Sequence, residues 1–170
     1  MISGENILLQ EINETYTPLI LKWRNSESVM RNFIIQEPLT EEMHNMWLKN
    51  KVATGEVAQF IILIKDGLVP IGTVYLRDID KVHDKAEFGI YIGENFQRGK
   101  GYGKESTQLI CQYGFEVLNL HKIMLRVLAF NESAIKTYEH AGFKQEAYLK
   151  QDVKINDKYE DVILMALFCE

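Results

Sequence analysis

Residues 98–104 read RGKGYGK, three glycines alternating with cations and a tyrosine. An apolar strand-like run precedes them and a helical pattern follows. A glycine lacks Cβ, so its amide approaches a ligand closely and its φ can be positive. Several such amides ahead of a helix form an anion-binding nest, to which the helix N-terminus adds roughly half a positive charge. Arg98, Lys100 and Lys104 add full charges. The junction therefore suits a phosphate group. The other reading of the same residues is a solvated, flexible turn with incidental cations. The phosphate-loop pattern G-x-x-x-x-G-K-S/T fails, because Glu105 follows Gly103-Lys104 and Arg98 stands where the first glycine belongs. The dinucleotide pattern G-x-G-x-x-G is met by Gly101 and Gly103 but has Ser106 in third place, and it follows antiparallel-looking strands.

Two more residues carry chemistry. Glu87 lies in a run where Phe88, Ile90 and Ile92 alternate with Glu87, Gly89 and Tyr91. A carboxylate there can take a proton from an amine of pKa near 10, or it can be a solvated or salt-bridged strand residue. Tyr138 stands two helical turns after Asn131, on the face of Ala134 and Ile135. Its hydroxyl can donate to developing negative charge, or the residue can be a core tyrosine with one polar tip.

The elements that must position these groups fit one domain, residues 1–170, with 46% hydrophobic content to fill a core. A net charge of −5 gives no global basic field, so nucleic acid is not an expected partner. No run of about 18 apolar residues occurs, so no membrane span is expected. The N-terminus MISGENILLQE has no signal-peptide pattern, and cytoplasmic residence is the expectation. Cys111 and Cys169 read as reduced, buried thiols, and His44, His83, His121 and His140 make no H-x-x-x-H pair, so no metal site is expected.

A first strand is expected at 7–9. Thr17-Pro18 predicts a helix start, with Leu19, Ile20 and Trp23 on it and its end near Glu27. Thr40 reads as the N-cap of a second helix, with Met43, Met46 and Trp47 as its apolar stripe. Strands follow at 59–64, 71–76 and 86–92, then a helix carrying Ser106, Ile110, Tyr113 and Val117, and a strand at 123–130. Asn131 predicts a cap for a helix reaching about Ala141, with Gly142 left-handed and Phe143 folding back. Strands at 147–155 and 159–168 are expected to turn through Asn156-Asp157. This order is α+β rather than doubly wound.

The loop from Arg98 to Gly103 resembles the Q/R-x-x-G-x-G/A loop of the GNAT acyltransferase superfamily. NESAIKTYEHAGF at 131–143 resembles that family's second motif, a capped helix that carries a tyrosine and ends in G-F. The resemblance covers about 7–168 and is weakest before residue 57. It implies a mixed, mostly antiparallel central sheet flanked by helices, with a splayed strand pair holding acetyl-CoA as co-substrate. By matching position, Arg98, Gly99, Lys100, Gly101, Tyr102, Gly103 and Lys104 would line the pyrophosphate. Ile90, Tyr91 and Ile92 would meet the pantetheine, and Asn131 and Ala134 would complete the cofactor site. Tyr138 would act on the departing thiolate and Glu87 on the amine. Gly89 reads either as the bulge that begins the splay or as a site of close packing.

For the acceptor, Trp23-Arg24-Asn25 resembles a segment of nucleotide-linked amino-sugar N-acetyltransferases, which makes Arg24 and Asn25 substrate candidates. Arg24 has a structural salt bridge as its other reading. Gln36-Glu37-Pro38 and INDKYEDV at 155–162 resemble spermidine N-acetyltransferases, with Gln36 where that branch has glutamate. Glu37, Glu41 and Glu42 suit a cationic amine or simply a solvated helix start. The resemblance thus implies transfer to a primary amine, leaning to a nucleotide-linked amino sugar, with polyamine and protein N-terminal (ribosomal-protein type) acceptors as alternatives. A non-catalytic acyl-CoA-binding module is the different-class alternative. The expected partners are a small-molecule amine and a second copy of the chain, in a homodimer or higher homo-oligomer.

Overall fold

The computed structural model describes residues 1–169. The chain forms one sheet of strands β1 (Ile2–Ser3), β2 (Ile7–Glu11), β3 (Ala58–Ile64), β4 (Val69–Asp80), β5 (Lys85–Ile92), β6 (Lys122–Leu128), β7 (Lys144–Ile155) and β8 (Lys158–Phe168), the central ones built from its hydrophobic runs. Their order is β1-β2-β3-β4-β5-β6-β8-β7, and every neighbouring pair is antiparallel except β5 with β6. The helices are α1 (Thr17–Arg24), α2 (Glu27–Met30), α3 (Glu41–Trp47), α4 (Tyr102–Glu116) and α5 (Glu132–His140). The α+β architecture expected from the sequence is the one observed.

The sheet is buried on both faces at β3, which is why that strand reads as an almost unbroken apolar run. On one side, Ile110 and Cys111 of α4 and Ala134 and Tyr138 of α5 pack over Val74, Leu76 and Phe88. On the other, Ile20 and Trp23 of α1 pack with Ile61, Leu63 and Tyr91. The alternation in β5 divides as expected: Phe88, Ile90 and Ile92 join the first cluster and Tyr91 the second.

Local backbone chemistry sets the ends of several elements. Asn131 Oδ1 accepts from the Ala134 amide at 3.3 Å and caps α5. Gly142 adopts φ +102° and Phe143 is buried behind it. Asn156 and Asp157 both take positive φ, 47° and 61°, and close the β7–β8 hairpin.

The N-terminal third departs from the sequence reading. Thr17 does not cap α1. Its hydroxyl lies 3.0 Å from His44 Nδ1 and both residues are buried. Asn13 caps the preceding 3-10 turn instead, through the Thr15 amide. The helix stops at Arg24, and residues 27–30 form a separate turn of helix. Met43 and Met46 are 47% and 55% exposed, so they are not the buried stripe of α3. His44 and Trp47 face inward there: His44 Nδ1 meets the Thr17 hydroxyl and the Trp47 indole donates to Gln59 Oε1, while His44 Nε2 is buried without a hydrogen-bond partner. Val117 lies just past α4 and is exposed. Of the cysteines, Cys111 is buried and burial pushes its thiol up to about 12, whereas Cys169 is exposed.

Gly72 holds β4 against β5: a Cβ there would stand 2.2 Å from the Tyr91 carbonyl oxygen. Backbone cannot yield as a side-chain tip can. Gly72→Ala should destabilise the fold by about 1–3 kcal/mol or more, read as a drop in thermal midpoint. Gly103→Ala, whose Cβ would meet nothing closer than Thr137 Cγ2 at 4.0 Å, should change the midpoint far less.

Candidate active site

The parallel pair β5–β6 is joined only at Lys85–Lys122, Ala86–Ile123 and Glu87–Met124. Past Glu87 the strands part. Each stays paired on its outer side, β5 to β4 as far as Ile92 and β6 to β8 as far as Leu128. The edge of β5 from Phe88 to Ile92 therefore borders a gap with peptide groups that a ligand amide can pair with. The splay begins before Gly89. The β4–β5 ladder runs unbroken through Tyr75–Gly89, so Gly89 is no bulge there. It is a site of close packing, since a Cβ would fall 2.3 Å from the Tyr75 ring.

At the far end of β5 the glycine loop turns into α4. Gly99 has φ +75° and Gly101, the α4 N-cap residue, has φ +88°. A Cβ on either would meet nothing within 4 Å. The loop is thus an open cradle over the first amides of α4, which have no intrahelical partner. Arg98 ties the loop to the strand, with Nε and Nη2 donating to the Ile92 carbonyl at 3.0 and 2.8 Å. Burial, with Arg31 nearby, lowers the Arg98 guanidinium from its usual value. Lys100 Nζ donates to Gln97 Oε1 at 2.9 Å, and Lys104 is exposed. Tyr102 packs against the core, and the hydroxyls of Ser106 and Thr107 fold back on the carbonyls of Tyr102 and Gly103. The donor set and the cradle fit the pyrophosphate of acetyl-CoA.

On the α4–α5 side of the split, Tyr138 stands edge-on to Phe88, centroids 5.6 Å apart at 81°, and 6.2 Å from Phe143. Two rings hold it beside the first unpaired residue of β5. Burial raises its phenol well above the ordinary value, with the Tyr75 hydroxyl adding to this. Tyr138 is consequently a neutral hydrogen-bond donor.

The opposite side of β5 is polar. Glu87 is paired to Arg77, Oε1 to Nη2 2.5 Å, with 23% of its side chain exposed. Tyr75 and Tyr91 flank it on the same face, and burial raises both phenols. Beyond them, the Arg24 guanidinium lies 3.6 Å over the Phe33 ring, and Phe33 meets Tyr91 edge-on at 5.7 Å. Arg24 Nη2 donates to the Ile35 carbonyl at 2.9 Å, while Nη1 is buried without a hydrogen-bond partner. Asn25 is placed differently: its Nδ2 donates to the Leu39 carbonyl and its Oδ1 accepts from the Leu39 amide. Both polar atoms clamp the loop. Glu37 is exposed on that loop.

The structure thus brings Glu87, Tyr138, Ile90, Tyr91, Ile92, Asn131, Ala134 and the 98–104 loop around one split strand pair, with Arg24 beside it. Sequence reading missed Arg77, Tyr75 and Phe33. The signal for the first two is the cross-strand register, Arg77 with Glu87 and Tyr75 with Gly89, which no local pattern in the chain announces.

The family model for an acetyltransferase (GNAT) domain matches residues 6–144. The chain is 33% identical over 168 residues to spermidine N(1)-acetyltransferase of Escherichia coli K12, covering 99% of this chain and 89% of that protein. Among solved structures, spermidine N-acetyltransferase from Vibrio cholerae in complex with CoA and spermine superposes with TM-score 0.89 at 27% identity, covering 97% of this chain and 96% of that one. A dodecameric structure of the Vibrio cholerae enzyme in an intermediate state superposes with TM-score 0.81 at 26% identity, covering 97% and 95%.

Gly101→Val should weaken acetyl-CoA binding more than Lys100→Ala. The valine must adopt left-handed φ at the helix cap and intrudes into the cradle, whereas Lys100 is one screened cation of several. Calorimetric titration with CoA checks this; valine and wild-type proteins binding alike would remove the cradle from the phosphate site.

Proposed function

The chain belongs to the GNAT acetyltransferase family and is an acetyl-CoA-dependent N-acetyltransferase. On that premise we propose that it acetylates the primary amine of a small molecule by direct attack in a ternary complex, with a polyamine as the foremost acceptor. The observation that carries the reaction is the split β5–β6 pair, with the glycine cradle at its mouth and Tyr138 at its apex.

Acetyl-CoA supplies the acetyl group as a thioester. The loop 98–104 and the α4 N-terminus hold its phosphates, the β5 edge at 90–92 pairs with its amide arm, and Asn131 and Ala134 border the other wall. Glu87 takes the proton of the acceptor ammonium, directly or through water, and Arg77 fixes the carboxylate for it. The C–N bond forms as the C–S bond breaks, and the surplus nitrogen proton balances the thiolate. Tyr138 donates its O–H to the sulfur as charge develops. A phenol of pKa about 10 yields its proton to a thiolate of conjugate pKa about 8.5 only at a cost of about 2 kcal/mol. Burial of Tyr138 raises that cost, so Tyr138 keeps its proton and acts as a donor.

The polyamine reading is supported by the relatives' own acceptor and by the exposed carboxylates of Glu37, Glu41 and Glu42, which follow Phe33 in the chain. It has better support than the amino-sugar lean of the sequence. One observation favours that second reading: the Arg24 guanidinium, held over Phe33 beside Tyr91, places a positive charge that suits a phosphate or sugar oxygen and repels a polycation. A homo-oligomer remains our expectation, supported by the dodecamer of the Vibrio cholerae relative; light scattering on the purified chain tests it.

Two measurements test the reading. Steady-state acetylation across spermidine, spermine, a nucleotide-linked amino sugar and an N-terminal peptide should show turnover of a polyamine. Joint Gln replacement of Glu37, Glu41 and Glu42 should then raise its apparent KM and flatten its salt dependence. Turnover of the amino sugar alone, lost on Arg24→Ala, would replace the polyamine reading with the second. Tyr138→Phe keeps the ring between Phe88 and Phe143, so CoA affinity should hold while kcat and kcat/KM fall together by roughly 10- to 1,000-fold. Wild-type kcat in that variant, with chemistry shown to limit turnover, would make Tyr138 a core residue only.

A further inference from the structure

A third phenol lies in the site without a role in the mechanism above. Tyr75 of β4 pairs with Gly89 of β5 on the face that carries Glu87 and Tyr91. Side chains in a cross-strand pair usually stand side by side, each over its own strand. Here Gly89 contributes none, and the tip of the tyrosine takes its place. A Cβ at position 89 would fall 2.3 Å from Tyr75 Cζ and 2.4 Å from both Cε2 and the hydroxyl oxygen. The ring therefore crosses β5 and sets its hydroxyl on the strand that borders the split, two residues past the last β5–β6 pair.

What surrounds that hydroxyl is the machinery of acyl transfer. Arg77, Arg24 and Glu87 act electrostatically on Tyr75, and Tyr75 in turn acts on Tyr138. Yet the hydroxyl bonds to no described residue, and it is not sealed among the buried unpartnered atoms of the chain. A neutral phenol in that position offers one acceptor oxygen and one donor hydrogen to whatever enters. Glu87 lies on the same strand and face, so a group held by Tyr75 is presented to the carboxylate.

We propose that Tyr75 is an acceptor-binding residue whose hydroxyl takes one N–H of the attacking amine, holding the nitrogen beside the split with Glu87 at hand for its proton. Gly89 is the residue that makes this reach possible. The inference rests on the N-acetyltransferase reading but on neither acceptor class: polyamines and amino sugars both present a primary amine at this point. A purely structural Tyr75, there to cover a glycine in a strand, would need the ring and not the oxygen.

Tyr75→Phe separates these two roles, because it leaves the ring across Gly89 and removes one atom. With whichever amine of the panel the wild-type enzyme acetylates, kcat/KM for the amine should fall about 10- to 100-fold, the scale of one hydrogen bond to a charged or reacting group. The CoA dissociation constant and the thermal midpoint should stay at their wild-type values. Gly89→Ala forces the ring aside and should lower the same parameter, and in the Tyr75→Phe background it should add less than its separate effect. If Gly89→Ala does not fold, the Tyr75→Phe kinetics decide alone. Wild-type turnover together with unchanged kcat/KM in Tyr75→Phe would overturn this inference and leave the proposed function standing. An equal loss of CoA affinity would overturn it by placing Tyr75 on the donor side. A wild-type enzyme that acetylates no amine of the panel would overturn both.

Discussion

Everything in the site depends on one interrupted ladder. β5 and β6 share three residue pairs and then part, although each remains fully paired to its other neighbour. A sheet that opens while both halves stay rigid leaves a slot whose walls cannot collapse, because closing it would require breaking ladders on the outside. The slot also leaves residues 88–91 without a strand partner on that side, and a buried peptide group left unpaired costs about 1–3 kcal/mol. An extended ligand carrying amides answers that need as an added strand would. The helices follow from the same constraint. The crossover between parallel strands is α4, whose N-terminus must start where β5 ends, and so the glycine cradle is placed at the mouth of the slot by topology.

Charge is then distributed by position rather than by total. A chain of net charge −5 binds a polyanion only through local fields, and the loop 98–104 with the α4 amides supplies one. On the opposite side of β5 the cations are differently employed. Arg77 is occupied by Glu87 and Arg24 lies on Phe33. The phenols of Tyr75, Tyr91 and Tyr138 are all held neutral by burial. Neutral donors clustered about a slot give hydrogen bonds that strengthen as charge develops and add no anion to repel a departing thiolate.

How much of this could be read from the chain depends on how local the cause is. The α5 cap at Asn131, the left-handed Gly142 and the Asn156-Asp157 turn were legible, since each is fixed by the backbone preferences of one or two residues. The glycine cradle was legible for the same reason. The stripe expected on α3 was not: hydrophobicity put Met43 and Met46 inside, but His44 and Trp47 take that face, where Thr17 on another element meets His44 Nδ1 and Gln59 accepts from the Trp47 indole. The pairing of Arg77 with Glu87, and of Tyr75 with Gly89, was hidden for a related reason. Each joins residues ten or more apart through a register set by the whole β4–β5 hairpin.

The two halves of the reaction are built on different kinds of structure. The donor half lies on strands and helix termini, where substitution disturbs the core. On the proposed reading the acceptor half leans on residues 31–40, which lie in no strand and are held by side-chain hydrogen bonds: Gln36 Nε2 donates to the carbonyls of Arg31 and Phe33, and from the end of α1 Asn25 clamps Leu39 twice and Arg24 reaches the Ile35 carbonyl. A segment held in this way outside the sheet can change its exposed side chains without altering the strands. Glu37 and the carboxylates that open α3 are exposed there, whereas Arg24 is half-buried. On the proposed reading acceptor choice is set by which of these groups a substrate can satisfy: a polycation gains from the exposed carboxylates and loses at Arg24, and an acceptor bearing oxygen or phosphate does the reverse. The slot, Tyr138 and the cradle are indifferent to that choice, which is how one acyl-transfer fold can serve amines as different as a polyamine and an amino sugar.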